Sequence, residues 1–196
     1  MELFDLLVNN NMEHNHNYVY LLDQIGVDHT AIKVCVETGT HRGLGVFTFS
    51  MFFDKVYTIE LSKELYDFSR EKYKDEDKIS FLHGKSTDLL EAAVKDIKQP
   101  YFLFLDAHGS GGDTTFDVKY GNGGSPVLEE LECVKSNPPA WIVIDDLHEF
   151  ETPVYYPSTR KVTDKVSEVG DYENLISLRR EGYHTGGHQW GCFKKK

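Results

Sequence analysis

The stretch Glu37-Thr38-Gly39-Thr40-His41-Arg42-Gly43 follows directly on the apolar run Val34-Cys35-Val36. An acid at the end of a buried strand, with glycines two and six positions later opening a helix, marks the junction at which an open α/β sheet holds a nucleotide-like ligand. The spacing E-x-G-x-x-x-G is not the G-x-G-x-x-G dinucleotide fingerprint, whose glycines let the backbone approach a pyrophosphate. Only Gly39 and Gly43 stand at a useful spacing, with Gly45 as an extra. The leading carboxylate would repel a phosphate and attract an amino group. An ordinary glycine-containing turn between strand and helix is the competing reading.

Lys55 to Glu60 reads as a second strand ending in an acid, which can accept both hydroxyls of a ribose. About twenty residues separate Gly39 from Glu60, the interval of a βαβ unit. Glu60 would equally favour the dipole of the helix that follows.

In this order and interval the chain resembles the class I S-adenosylmethionine-dependent methyltransferases, whose first motif is an acid followed by spaced glycines and whose second strand ends in a ribose-binding acid. The resemblance spans about residues 33–194. It implies a Rossmann-like domain, S-adenosylmethionine as cofactor, and cofactor contacts at Glu37, Gly39, Thr40, Gly43, Glu60, Leu61, Ser86 and Asp106. Glu37 would hold the methionine amino group directly or through water, Gly39 would let the chain pass close to the cofactor, and Glu60 would take the ribose. Gly84-Lys85-Ser86 follows the third strand, where related enzymes place an acid or a small polar residue beside adenine. Lys85 departs from the acidic choice, and Ser86 either contacts the adenine edge or caps the next helix.

Alternation of strand and helix from Lys33 onward predicts an α/β fold with a mainly parallel central sheet and helices on both faces. The whole chain, 1–196, reads as one domain, with an N-terminal helical segment at 1–30 and a Rossmann-like core at 31–196. Strands are expected at 33–37, 55–60, 78–83, 101–106 and 140–145, and helices at 43–53, 62–73, 87–97 and 126–136. Tyr101 to Leu105 and Trp141 to Ile144 are continuously apolar, as strands buried on both faces are. Ser62 suits an N-cap and Pro126 a first helical position. Helices at 2–9 and 17–26 open the chain, and Tyr18, Leu21, Leu22 and Ile25 form a stripe able to cover a sheet edge or one side of the ligand. His14 and His16 lie in the polar stretch between them and read as solvated. The chain ends in a helix at 171–180 and a hairpin of 183–185 with 189–194 about Gly186-Gly187. The resemblance implies an antiparallel C-terminal strand. Two long connections, 107–125 and 147–170, follow central strands and read as substrate lids.

A net charge of -11 disfavours nucleic acid and anionic membranes as partners. No apolar run approaches the roughly twenty residues of a membrane helix, and the N-terminus lacks a basic stretch before an apolar core. A cytoplasmic location is expected. Cys35, Cys133 and Cys192 form no C-x-x-C pair, so packing rather than zinc or disulfide chemistry is their expected role. A small domain with long aromatic loops is expected to complete its pocket as a homodimer.

Asp106 ends one central strand and Asp145-Asp146 end the next. Neighbouring strands lie about 4.8 Å apart, so three carboxylates could converge, at a cost that a cation or protons must offset. A magnesium ion takes oxygen ligands and keeps positions open for a substrate. This pattern resembles the metal-dependent O-methyltransferases, both the catechol type and the macrocin and cephalosporin-cluster relatives, and implies Asp106, Asp145 and Asp146 as metal ligands. Without a metal, Asp106 would lie near the reactive methyl and Asp145 would orient a loop. The run from Leu105 to Asp113 also resembles a group of methyltransferase-like proteins with an Asp-x-His-x-Ser-Gly-Gly signature.

His108 is the expected general base, with Asp106 beside it, because an imidazole titrates near neutrality. His148 is the second choice or a metal ligand, and His41 borders the cofactor. Methyl transfer from a sulfonium depends chiefly on positioning. The expected activity is S-adenosylmethionine-dependent O-methylation of a small hydroxylated acceptor such as a sugar, assisted by magnesium. The alternatives are a nucleoside-binding or regulatory module without transfer, and a nucleotide-dependent hydrolase using the three aspartates, against which the missing G-x-x-x-x-G-K-[ST] loop counts.

Overall fold

The computed structural model describes residues 15–109, 124–147, 156–180 and 188–196. The chain alternates from the start: α1 (Asn15–Ile25), β1 (Val34–Thr38), α2 (Leu44–Phe52), β2 (Lys55–Glu60), α3 (Lys63–Lys72), β3 (Ile79–His83) and α4 (Ser86–Val94). Then follow β4 (Tyr101–Leu105), α5 (Val127–Cys133), β5 (Trp141–Ile144), α6 (Thr159–Val169), β6 (Tyr172–Arg180) and β7 (His188–Lys195). The α/β expectation therefore holds, and the strand bounds agree to within a residue from β1 to β5. The expected helix at 2–9, Tyr183 to Thr185, the Gly186-Gly187 turn, His14 and His148 lie outside the described residues.

β1, β4 and β5 are buried along their whole length, as continuous apolar runs require when helices cover both faces. The seven strands run in the order β3-β2-β1-β4-β5-β7-β6. Strands β1 to β5 are parallel, and β7 enters antiparallel between β5 and β6. From β1 the chain winds outward through β2 to β3, and from β4 it winds the other way to β5. The reversal leaves a crevice beyond the carboxyl ends of β1 and β4, where such sheets take ligands.

Successive residues of β1 face opposite sides. Val34 and Val36 join Leu90 and Val94 of α4, Leu131 of α5 and Val162 and Val166 of α6. Cys35 joins Leu21 and Leu22 of α1 and Val46 and Phe49 of α2, with Phe102, Phe104 and Trp190. The α1 stripe thus covers the sheet face shared with α2. Ser62 caps α3 by accepting the Leu65 N–H at 3.3 Å. Pro126 stands one position before α5, where its carbonyl accepts the N–H groups of Glu129 and Glu130, both at 3.0 Å.

The C-terminal third differs from expectation. Residues 172–180, expected as a helix, form strand β6, and the helix lies earlier, inside the connection expected to be a lid. Val162, Val166 and Val169 are buried on one side of α6 and Ser158 caps its start. Tyr172, Leu175 and Ile176 recur at the three- and four-residue spacings of a helix, but pairing with β7 along the whole segment outweighs that local pattern, with a register shift between Asn174 and Ile176. No helix among the described residues is long and apolar enough to cross a membrane.

Leu103 is fully buried at the centre of β4, whereas Phe68 is 46% exposed on α3. Leu103→Ala should lower unfolding stability in urea by about 2 to 5 kcal/mol, and Phe68→Ala by less than about 1 kcal/mol.

Candidate functional site

Glu37 occupies the penultimate position of β1 and is 2% exposed. The Thr58 hydroxyl, opposite it on β2, donates to Glu37 Oε2 at 2.7 Å. Thr58 has one hydrogen to give, so the 2.5 Å contact between the Thr40 and Thr58 hydroxyls has Thr40 as donor. The other carboxylate oxygen lies over the first turn of α2: a Cβ at Gly45 would overlap Glu37 Oε1. The positive end of α2 thus faces an acid, a favourable arrangement. Burial nevertheless pushes Glu37 up to about 8, with the Thr58 hydroxyl pulling down and Glu60 pushing up. Among the described residues no cation is seen acting on it. At neutral pH this favours the protonated form of Glu37.

Glu60, at the end of β2, holds two backbone donors. Its Oε2 accepts the His41 N–H at 2.7 Å and its Oε1 accepts the Ser62 N–H at 2.8 Å. It therefore fixes the loop after β1 and the turn into α3, and both oxygens keep acceptor capacity for hydroxyls. His41 adopts φ 49, a left-handed conformation uncommon for a residue with a Cβ. Its backbone is held at both ends, by Glu60 on the N–H and by the Ser69 hydroxyl on the carbonyl at 2.7 Å.

Gly39 has a packing reason within the fold. At φ 86 its missing Cβ leaves room for the Asp106 carbonyl, which a side chain would overlap. The loop after β1 and the end of β4 are thereby pressed together, and the Asp106 N–H reaches the Thr38 carbonyl at 3.0 Å. Gly43, at φ 76, lies under the Tyr73 ring. Leu61 is half-buried next to Glu60.

Beyond β4 and β5, His108 stands between two aspartates. Its Nδ1 lies 3.2 Å from Asp106 Oδ1 and its Nε2 lies 2.9 Å from Asp146 Oδ2. Asp146 adopts φ 50, which an aspartate tolerates better than most residues. Burial pulls the imidazole down, but the Asp146 bond, with Asp145 and Glu130 behind it, outweighs burial and holds His108 above its ordinary value. Asp106 is raised well above the carboxylate range by burial and then by Asp145, Asp146, Glu37 and Glu130. Asp145 is pushed up to about 7 by burial and Asp146, against the pull of His108 and the Trp190 indole.

The magnesium ligand set expected from Asp106, Asp145 and Asp146 is not what these residues build. Asp106 and Asp146 each direct an oxygen at His108, and Asp145 lies beside Trp190. Among the described residues no three His, Cys, Asp or Glu side chains gather as a metal shell requires.

Two further residues stand at this edge, Tyr18 from the stripe noted in the sequence and Glu130, to which the sequence reading gave no role. Tyr18 of α1 packs edge-on against Phe49 and Phe104, with ring centroids 5.5 Å apart in each case. Burial and then Asp106, Asp145, Glu37 and Asp146 raise its phenol well above the ordinary range, which places it beside the acidic edge. Glu130 of α5 is 1% exposed, and its Oε1 has no hydrogen-bond partner. Burial pushes it up to about 7, while the hydroxyls of Ser86 and Thr38 favour its charged form. The signal was present: Glu130 falls on the stripe Val127, Leu131 and Val134, all of which are buried.

No protein-family model matches the sequence, and no curated protein matches it. Solved structures do match. N-methyltransferase NodS from Bradyrhizobium japonicum WM9 superposes with a TM-score of 0.61 at 10% identity, covering 95% of this chain and 97% of that one. An S-adenosylmethionine-dependent methyltransferase from Clostridium acetobutylicum ATCC 824 gives 0.61 at 7% identity, covering 98% and 96%. Geranyl diphosphate methyltransferase in complex with S-adenosylmethionine gives 0.56 at 10% identity, covering 93% and 85%. At these identities the likeness is one of fold, and it agrees with the Rossmann-like methyltransferase architecture.

Glu37, Glu130 and Asp145 hold protons more tightly folded than unfolded, raised from carboxylate values of 3.8 to 4.5 up to about 7 or 8, and His108 is held above its ordinary value as well. The native state therefore binds more protons than the unfolded chain between about pH 4 and pH 8, and stability falls as pH rises through that window. Thermal unfolding should show a lower Tm at pH 8.5 than at pH 5.5. Glu37→Gln should flatten the part of that decline lying above pH 7.

Proposed function

We propose that the chain transfers a methyl group from S-adenosylmethionine to a hydroxyl of a small acceptor. The observation that carries this reading is Glu37: a buried carboxylate, without a cation of its own, at the carboxyl edge of a methyltransferase-type sheet and beside the Asp106–His108–Asp146 unit. A ligand bearing an ammonium and a sulfonium supplies the positive charge this edge lacks. The residues present fit such a ligand. Glu37 offers an acceptor for the amino group, Glu60 has capacity for ribose hydroxyls, and Gly39 keeps the loop clear of side-chain bulk where β1 and β4 meet.

S-adenosylmethionine supplies an electrophilic methyl group, and the protein supplies position and a destination for the acceptor's proton. With both ring nitrogens engaged, His108 is fixed between Asp106 and Asp146 rather than open to the acceptor as a free base. The hydroxyl proton would pass to an ionised carboxylate oxygen of the unit that the ring does not hold, leaving that carboxyl neutral while His108 keeps the pair in place.

The second reading, a binding module without transfer, draws support from the same fact that neither His108 nitrogen is free. Titration with S-adenosylhomocysteine followed by turnover against a panel of sugars and other hydroxylated acceptors separates the two. Transfer is expected, and His108→Ala should lower it by about 100-fold or more while cofactor affinity stays within about threefold. Asp106→Asn should act in the same direction. Binding without transfer to any acceptor would favour the module, and full turnover by His108→Ala would remove the proton-accepting role.

A further inference from the structure

Phe68 and Leu44 are the only exposed large hydrophobic side chains among the described residues, at 46% and 37%, and both lie where the loop after β1 meets α3. Gly43, the residue before Leu44, packs beneath Tyr73 and beside Ser69, and the Ser69 hydroxyl donates to the His41 carbonyl at 2.7 Å. Arg42 Cζ is 5.9 Å from the centre of the Phe68 ring, and Lys72 Nζ stands at the same distance from it while donating to the Arg42 carbonyl at 3.3 Å. The two long side chains shade the ring with their stems, yet nearly half of it stays open to solvent.

The helix supplies the pattern around that ring. Leu65 and Ser69 are the buried positions of α3, whereas Glu64, Phe68 and Lys72 recur every four residues and form one exposed ridge along it. Beside the ridge, Lys63 pairs with Asp67 at 2.5 Å and Lys74 with Glu71 at 2.7 Å. Neither Glu64 nor Lys72 has such an ion pair among the described residues. An acid, an aromatic ring and a base at equal intervals are self-complementary. When two copies of α3 lie antiparallel about a two-fold axis at Phe68, Glu64 of each copy falls opposite Lys72 of the other, and the two rings meet between them. Rows of i, i+4 side chains are also the ridges by which helices most often interdigitate. An acidic protein or a nucleic acid would suit Arg42 and Lys72 but set Glu64 against its own sign, and a basic partner would do the reverse. A second copy satisfies both ends.

We propose that the Glu64–Phe68–Lys72 ridge is an isologous contact surface for a second copy of this chain, formed by antiparallel α3 helices. The proposal goes beyond the methyl-transfer reading and does not depend on it. A helix of 10 residues is about 15 Å long, so the ridge covers less than the roughly 800 Å² per partner of a standard interface, and the dimer is accordingly weak and concentration-dependent. At about 0.15 M salt the repulsion between two chains of net charge -11 is screened beyond about 8 Å, whereas charge pairs in contact persist. The contact abuts the loop after β1, whose His41 is held by Ser69 of α3 on its carbonyl and by Glu60 on its N–H.

Sedimentation equilibrium over about 5 to 500 μM, the span in which a contact of this size half-associates, tests the proposal. The unmodified protein should dimerise within that range. Glu64→Lys and Lys72→Glu should each weaken association at least about 10-fold, because like charges then face one another at both ends of the contact. Mixed in equal amounts the two variants should associate again, since each presents the other with opposite charge at both ends, and the double variant Glu64→Lys/Lys72→Glu should recover in the same way. Phe68→Ala should weaken the dimer without unfolding the chain, and it decides the matter if a charge variant fails to fold by circular dichroism. A protein that stays monomeric at about 500 μM overturns the proposal. So does a dimer indifferent to Phe68→Ala, or a mixture no more associated than either charge variant alone. S-adenosylhomocysteine binding is measured separately, and none of these results bears on it.

Discussion

A carboxylate sealed at the end of a parallel strand governs the rest of this edge. Taking Glu37 out of water is costly, and the fold offsets the cost in three local ways: the Thr58 hydroxyl on one oxygen, the first turn of α2 against the other, and a proton at neutral pH. Each constrains its surroundings. Position 45 must be glycine for the carboxylate to fit, Thr58 must face it across the β1–β2 ladder, and Thr40 must support Thr58. The motif is thus a packing solution around one buried acid as much as a set of ligand contacts.

The same compactness joins the two halves of the site. Gly39 allows the loop after β1 to lie against the Asp106 carbonyl, so the acid at the end of β1 and the aspartate–histidine–aspartate unit beyond β4 and β5 share a single electrostatic neighbourhood. Glu37 raises Asp106, and Glu130 raises both Asp106 and His108. Acids this close cannot all ionise in a poorly solvated place, and the unit settles the conflict by retaining protons. A cationic ligand would release some of that strain, which gives the edge a physical reason to bind one.

Much of this was legible in the sequence because it rests on local pattern. Continuous apolar runs gave β4 and β5, and the acid-and-glycine spacing gave the β1 junction. The pairing of Asp106 with His108 follows from two residues' separation at a strand end. What failed was whatever depended on partners distant in the chain. Strand β6 imitates a helix until β7 pairs with it, and the helix α6 sat unrecognised inside a segment read as a lid. The three aspartates suggested a metal because sequence does not show that His108 would come between two of them. Glu130 was given no role, although its place on an apolar stripe marked it as buried.

The account stands on Glu37 exchanging its proton for the positive charge of an adenosyl amino acid. Calorimetric titration with S-adenosylhomocysteine at pH 7, repeated in buffers of different ionisation enthalpy, counts the protons released on binding. Release approaching about one proton, abolished in Glu37→Gln, is the predicted result. Binding with equal proton release in both proteins, or no binding at all, would contradict it.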